Sequence, residues 1–203
     1  MDDQLEGHAM PLSIPLQFHT DDSVEGRLAN VRVLVVGGSP LGLRVVSMLQ
    51  KVGVRNVTEA FGATGDALIE TVNEHDLVVN ACRTVGEMLE LADACVRTGR
   101  PFVWGEVQGN VHRSSVFWPQ APGEWPLTTL RHLYPVVPEV DSEPADPDLE
   151  IVWSRLATVL ITEVQKLIQG IGEPLIGRIL EVDTIAADWD VREITPAQPP
   201  RKS

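Results

Sequence analysis

The sequence contains few cysteines, few aromatic residues and few basic residues. Two cysteines among 203 residues cannot form a disulfide framework, and they do not supply the ligand cluster of a structural metal site. The 16 Lys and Arg residues are outnumbered by 29 Asp and Glu residues, which gives a formal net charge of -13. A chain this acidic is repelled by a phosphate backbone and by an anionic membrane surface, so we expect it to bind neither nucleic acid nor membranes.

Long apolar runs and a basic N-terminal segment are also missing. The longest apolar runs, such as residues 33–36, are too short to span a bilayer. The chain opens Met1-Asp2-Asp3, which is acidic where a signal peptide requires positive charge. By elimination we expect a cytoplasmic protein. Hydrophobic residues make up 43% of the chain, enough for a packed core, and the length suits one domain of ordinary size.

The first half of the chain alternates between β-branched runs and stretches of helical periodicity. The run VRVLVV at 31–36 is typical of a strand buried on both faces, as in a parallel sheet. The alternation predicts a Rossmann-like α/β fold with a doubly wound, mainly parallel sheet. Further strands are predicted at 56–61, 76–82 and 101–104, and helices at 41–52, 67–72 and 85–98.

The second half predicts a C-terminal helix and antiparallel strands. A further strand at 111–118 precedes a strongly amphipathic helix at 151–169 and an antiparallel pair at 179–182 and 189–194. We divide the chain into an N-terminal arm (1–30), a single domain (31–194) and a disordered tail (195–203). The arm enters a short helix at Ser23, and an acidic linker at 139–150 interrupts the domain with six acidic residues and no basic one.

A glycine-rich turn, GGSPLG, joins the first strand to its helix. Glycines at such a turn let the backbone approach a phosphate group, and Gly37, Gly38 and Gly42 suit that role. The middle glycine of the usual pattern is Ser39, a good N-cap residue, and the following Pro40 suits the first helical position. The turn is therefore either a structural helix start, with the serine side chain occupying the helix N-terminus, or a retained nucleotide site.

Three segments of the chain resemble the ThiF/MoeB family. They cover residues 25–42, 76–119 and 158–183, and the phrase GIGEPLIGRIL in the third is the most specific. Members of this family are adenylyltransferases that activate ubiquitin-like sulfur-carrier proteins. The resemblance implies a ThiF/MoeB-like Rossmann fold, dimer formation, binding of ATP and Mg²⁺, and attack of a carrier carboxylate on the α-phosphate.

The resemblance fails at the positions that carry the family's charged groups. The ribose-binding Asp falls at Phe61, with Glu59 the nearest carboxylate, and the metal-binding Asp falls at Arg83. The family's cationic insert has no counterpart, because residues 62–75 contain no Arg or Lys. The first zinc-binding Cys pair falls at Thr129 and His132.

The family's catalytic cysteine also has no counterpart in the sequence. Cys82 and Cys95 fall at a strand end and on the apolar face of a helix, which is typical of small core residues.

These departures predict a catalytically degenerate family member with no catalytic residue, metal ligand or cofactor. We expect a dimeric scaffold: a homodimer, or a heterodimer with a related active enzyme or a sulfur-transfer protein. The alternatives are an ATP-dependent adenylyltransferase and a residual nucleotide sensor. In the sensor, Gly37, Gly38, Ser39 and Gly42 would form the vestigial cofactor site, and either Arg83 or Arg44 would contact a phosphate.

Overall fold

The computed structural model describes residues 23–123, 125–136 and 150–195. Seven strands form one sheet in the order β2-β1-β3-β4-β5-β6-β7. The strands are β1 (Arg32–Val36), β2 (Asn56–Ala60), β3 (Leu77–Asn80), β4 (Phe102–Gln108), β5 (Val111–Phe117), β6 (Arg178–Asp183) and β7 (Asp188–Glu193). The helices are α1 (Val24–Asn30), α2 (Pro40–Lys51), α3 (Gly65–Asn73), α4 (Val85–Thr98) and α5 (Glu150–Gln169), with a 3-10 turn at Leu130–His132. The predicted Rossmann-like class, with C-terminal antiparallel strands, is confirmed.

The strand order of the sheet reverses at β1, and the candidate site lies at this reversal. The first four strands are parallel, and β1 pairs with β2 on one side and β3 on the other. The chain therefore moves outward to β2 and then crosses back over β1 to β3. In open α/β sheets such a reversal leaves a crevice at the carboxyl ends of the diverging strands. Strands β4 to β7 continue the sheet by antiparallel pairing.

Two apolar cores lie on the opposite faces of the sheet. One packs α1, α2 and α5 against the sheet, and the other packs α3, α4 and the 3-10 turn. The side chains of β1 alternate between them: Val33 and Val35 enter the first core, whereas Leu34 and Val36 enter the second. This two-sided burial explains why the strand has a continuous apolar sequence.

The predicted element boundaries hold with local shifts. The helix predicted at Ser23 is α1, whose N-cap is Ser23, with its Oγ accepting the Gly26 N–H at 3.0 Å. Helix α5 begins at Glu150, which is the last residue of the predicted acidic linker. The rest of that linker, most of the arm and most of the tail lie outside the described residues. Within the described ranges, no helix is long and apolar enough to cross a bilayer.

Candidate functional site

A cleft of about 480 Å³ opens at the carboxyl ends of β1, β2 and β3. It lies where the sheet reverses direction, the position at which α/β proteins bind ligands. The cleft is lined by Gly37, Gly38, Ser39, Pro40, Leu43, Glu59, Phe61 and Arg83. Four of the five predicted site residues therefore meet in one cavity. Gly42 is the exception, because it lies beneath the turn.

Packing against Ala81, the residue that follows β3, explains two of the three glycines of the turn. Gly37 has φ +120°, and a Cβ built there would lie 2.1 Å from the carbonyl oxygen of Ala81. A Cβ at Gly42 would lie 3.2 Å from the Ala81 Cβ, so this glycine lets α2 pack closely on the sheet. Gly38 is different, since the nearest atom to a Cβ there is Phe61 Cδ1 at 3.6 Å.

Ser39 occupies the N-cap position of α2, but its side chain does not cap the helix. Pro40 stands at the first helical position, as predicted. The prediction that the serine side chain occupies the helix N-terminus is wrong: Ser39 Oγ makes no cap hydrogen bond and is buried without a partner among the described residues. The Gly42 N–H, one of the two amides that a capping hydroxyl could accept, donates instead to the Ser39 carbonyl at 2.9 Å.

The turn offers few free backbone donors. The Gly37 N–H donates to the Ala60 carbonyl at 3.0 Å, and the Ser39 N–H donates to the Ala81 carbonyl at 3.3 Å. Pro40 has no N–H to offer. Among the described residues, only the Gly38 and Leu41 amides of this turn lack a backbone acceptor. A phosphate in the cleft would therefore meet a sparse set of amides.

Arg83 is held at the rim of the cleft by the turn that follows β3. Buried Asn80 fixes that turn: its amide donates to the Gly105 carbonyl at 2.8 Å and its Oδ1 accepts the Cys82 N–H at 3.0 Å. The Arg83 backbone N–H donates to Glu87 Oε2 at 3.0 Å. Its side chain has no ion-pair partner in the part of the chain that the structure describes.

The cleft carries one cationic and one anionic side chain. Glu59 lies at the end of β2 opposite Arg83, and Phe61 follows it with an exposed ring. Arg44, the other predicted phosphate contact, lies outside the cleft. Its guanidinium pairs with Glu150 at 3.1 Å and donates to Ser154 Oγ at 3.2 Å, so it fastens α2 to α5.

A cluster of charged residues on the α4 face of the sheet was not found from the sequence. Buried Glu106 accepts hydrogen bonds from the Tyr134 hydroxyl and, at 3.3 Å, from Arg113. Arg113 also donates to Glu181 at 2.6 Å, which lowers the pKa of that carboxyl. Glu106, Arg113 and Glu181 are neighbours in the register of β4, β5 and β6. Only that register, which the sequence does not reveal, brings the three together.

His132 and Thr129 do not form part of a ligand cluster. The His132 Nδ1 accepts the Thr129 N–H at 2.9 Å, so the histidine stabilises its own 3-10 turn. The described ranges contain no group of three or more His, Cys, Asp and Glu side chains that could hold a metal ion.

The two thiols are predicted to be inert in the folded protein. Burial raises the pKa of Cys82 to about 12 and also raises the pKa of the fully buried Cys95. At pH 8 roughly one Cys82 in ten thousand is then a thiolate, the reactive form. We expect neither thiol to react within an hour with an aromatic disulfide reagent, and both to react at once in denaturant. Rapid colour release from the native protein would contradict this expectation.

Comparisons with known proteins relate this fold to that of solved structures. No family model matches the chain. Among solved structures, E. coli MccB determined with MccA-N7isoASN has a TM-score of 0.69 at 15% identity, covering 86% of this chain and 67% of that one. E. coli MccB determined with ATP has a TM-score of 0.67 at 12% identity, covering 91% and 75% of the two chains. The protein therefore shares the MccB fold.

Curated relatives show which enzymes the sequence of this chain is similar to. The probable adenylyltransferase/sulfurtransferase MoeZ of Mycobacterium tuberculosis is 34% identical over 130 residues, which cover 63% of this chain and 32% of MoeZ. A sulfur carrier protein adenylyltransferase of Thermus thermophilus is 27% identical over 170 residues, which cover 81% of this chain and 62% of the relative. These relatives are adenylyltransferases of sulfur-carrier proteins, so they bear out the resemblance to the ThiF/MoeB family, and the chain spans about a third of the length of MoeZ.

Proposed function

We propose that this chain is a non-catalytic member of the ThiF/MoeB family, acting as a dimeric scaffold or as the partner of a related active enzyme or sulfur-transfer protein. The observation that carries the proposal is the charge of the cleft. Arg83 and Glu59 are its ionisable lining residues, so their charges cancel. A triphosphate carries several negative charges, and its transfer chemistry depends on cations that neutralise them.

The Mg²⁺ that adenylate transfer from ATP requires also supports a non-catalytic role. Mg²⁺ binds through carboxylates and substrate phosphates, and an arginine near the metal position repels it. Arg83 stands after β3, where the family resemblance places the metal-binding Asp. The residues of the cleft therefore do not fit Mg-ATP, and we derive no catalytic step through it.

A residual nucleotide sensor is the second candidate function. Ser39 is only 6% exposed, its hydroxyl has no partner in the described part of the chain, and it lies in the wall of the cleft. Unpartnered buried polar atoms cost free energy, which a bound ligand could recover. This candidate requires binding without turnover.

Nucleotide titration and pyrophosphate exchange test the proposal together. We expect no ATP-dependent pyrophosphate exchange above background with any sulfur-carrier protein, and no saturable heat with ATP or AMP, with or without Mg²⁺. Exchange by the unmodified chain would overturn the proposal in favour of the adenylyltransferase.

Variants at Arg83 separate the two candidates. Saturable ATP binding that Arg83→Ala weakens by about tenfold or more, without exchange, would favour the sensor. Arg83→Asp restores the carboxylate expected in the family, but we expect it to remain inactive because residues 62–75 still supply no cation. Gain of exchange in that variant would show that one residue separates the chain from activity.

A further inference from the structure

Strand β7 is an unprotected edge of the sheet. All six of its residues are exposed, and among the described residues its one pairing partner is β6, on its inner side. Trp189 is 72% exposed and Val191 is 47% exposed. An edge strand presents unpaired backbone donors and acceptors that can pair with another strand. The sequence of β7 therefore decides which strand it can accept.

The hydrogen-bonding pattern fixes which backbone groups point outward. The Ile194 N–H donates to the Gly177 carbonyl at 2.8 Å, one step beyond the pair formed by Arg178 and Glu193. Hydrogen-bonded and non-hydrogen-bonded pairs alternate along an antiparallel ladder. The backbone groups of Trp189, Val191 and Glu193 therefore point away from β6. The Trp189 N–H accordingly meets a side chain, Asp188 Oδ1, at 3.0 Å.

We propose that β7 pairs with β7 of a second copy, antiparallel and centred on Val191. This inference rests on the proposed function, since it supplies the surface for the expected homodimer. With a two-fold axis at Val191, the outward backbone groups of Val191 face those of Val191 in the other copy. Those of Trp189 face those of Glu193 in the other copy. Both partners in each pair point their hydrogen-bonding groups outward, so the ladder continues without a bulge.

Charge complementarity selects this register. With the axis at Val191, Asp190 of each copy lies opposite Arg192 of the other. Shifting the axis by two residues to Trp189 would instead place Asp188 opposite Asp190, a repulsive pair. Unlike charges directly opposite each other stabilise a pair of strands, and like charges destabilise it.

The carboxylate of Asp190 lies next to a like charge. In the register of β6 and β7 it lies directly opposite Glu181, a like charge, and within the described ranges it has no ion pair of its own. Arg192 approaches the same Glu181 at 3.6 Å. A second copy would bring its Arg192 to Asp190 and relieve this repulsion. On the other face of the sheet, Val191 of each copy would lie opposite Val191 of the other, and Trp189 would lie opposite Glu193.

A charge-swap experiment on the full chain tests the pairing by sedimentation equilibrium. Asp190→Arg alone places two pairs of arginines in opposition, and Arg192→Asp alone places two pairs of aspartates in opposition. We expect each to weaken the dimer by about tenfold or more relative to the unmodified chain. The double variant Asp190→Arg/Arg192→Asp restores opposite charges and should dimerise within about threefold of the unmodified chain.

Mixing the two single variants provides the decisive control against misfolding. Each variant weakens its own dimer, yet together they place arginine opposite aspartate at both positions, so we expect a heterodimer of near-normal affinity. If the unmodified chain dimerises but neither single variant weakens it, or if the mixture fails to associate, the β7 pairing is overturned and the dimer must use another surface. A chain that stays monomeric to about 100 µM would overturn both this pairing and the homodimer form of the proposed function.

Discussion

Replacing Gly37 by alanine is expected to destabilise the protein by more than about 3 kcal/mol. The added Cβ would lie 2.1 Å from the Ala81 carbonyl oxygen and 2.2 Å from its carbon, so backbone rather than a flexible side chain must move. The φ of +120° adds strain for any residue with a Cβ. For a domain of this size the loss corresponds to a fall in melting temperature of roughly 10 °C, measurable by calorimetry or circular dichroism.

Gly38 supplies a matched control for this substitution. It lies beside Gly37 in the same turn, but a Cβ there meets only Phe61 Cδ1 at the ordinary contact distance of 3.6 Å. Gly38→Ala should change the free energy of unfolding by less than about 1 kcal/mol. Equal effects at the two positions would contradict the assignment of Gly37 to packing against Ala81.

Glu163→Ala is expected to cost about 2–4 kcal/mol of unfolding free energy. The side chain is only 2% exposed, and its two oxygens accept the Leu175 N–H at 2.8 Å and the Lys166 ammonium at 2.7 Å. Removing it leaves a buried backbone N–H without an acceptor. Because that N–H belongs to the segment GIGEPLIG, its residues should also lose protection in hydrogen exchange.

The conservative substitution separates the hydrogen bond from the charge. Glu163→Gln keeps an oxygen that can accept the Leu175 N–H and loses only the charged partner of Lys166, which is partly exposed. We expect a cost of about 1 kcal/mol and near-normal exchange protection at Leu175. If the two substitutions cost the same, Glu163 acts through its charge and not through the buried amide.

Local signals made some elements predictable from the sequence. Helix α4 was predicted at residues 85–98, as observed, because both of its ends are marked locally. Thr84 and Glu87 form a capping box at its start, and Gly99 adopts the left-handed conformation at its end.

Long-range contacts explain an element whose end could not be predicted from the sequence. Strand β4 was predicted to end at Trp104 but continues to Gln108. Gly105 is needed there because a Cβ would lie 2.6 Å from Leu156 Cδ1 of α5, and Glu106 is buried by Tyr134 and Arg113. A glycine followed by a glutamate breaks the apolar pattern of a strand, and only the folded chain supplies the reason.

The sequence predicted the place of the candidate site but not all of its hydrogen bonds. Residues that directly follow β1 and β3 had to meet, since parallel strands end at one edge of the sheet. The absence of a side-chain cap at Ser39 was not predictable from the sequence. The Gly42 N–H donates to the carbonyl of Ser39 and not to its hydroxyl.

Helix α5 has a consequence for synthesis of the chain. Its buried residues complete the core that β1 and α2 begin, although about a hundred positions separate the two regions. Until α5 has been synthesised, α1 and α2 cover that face of the sheet only in part. We expect the exposed apolar surface to make the nascent chain prone to aggregation during this interval.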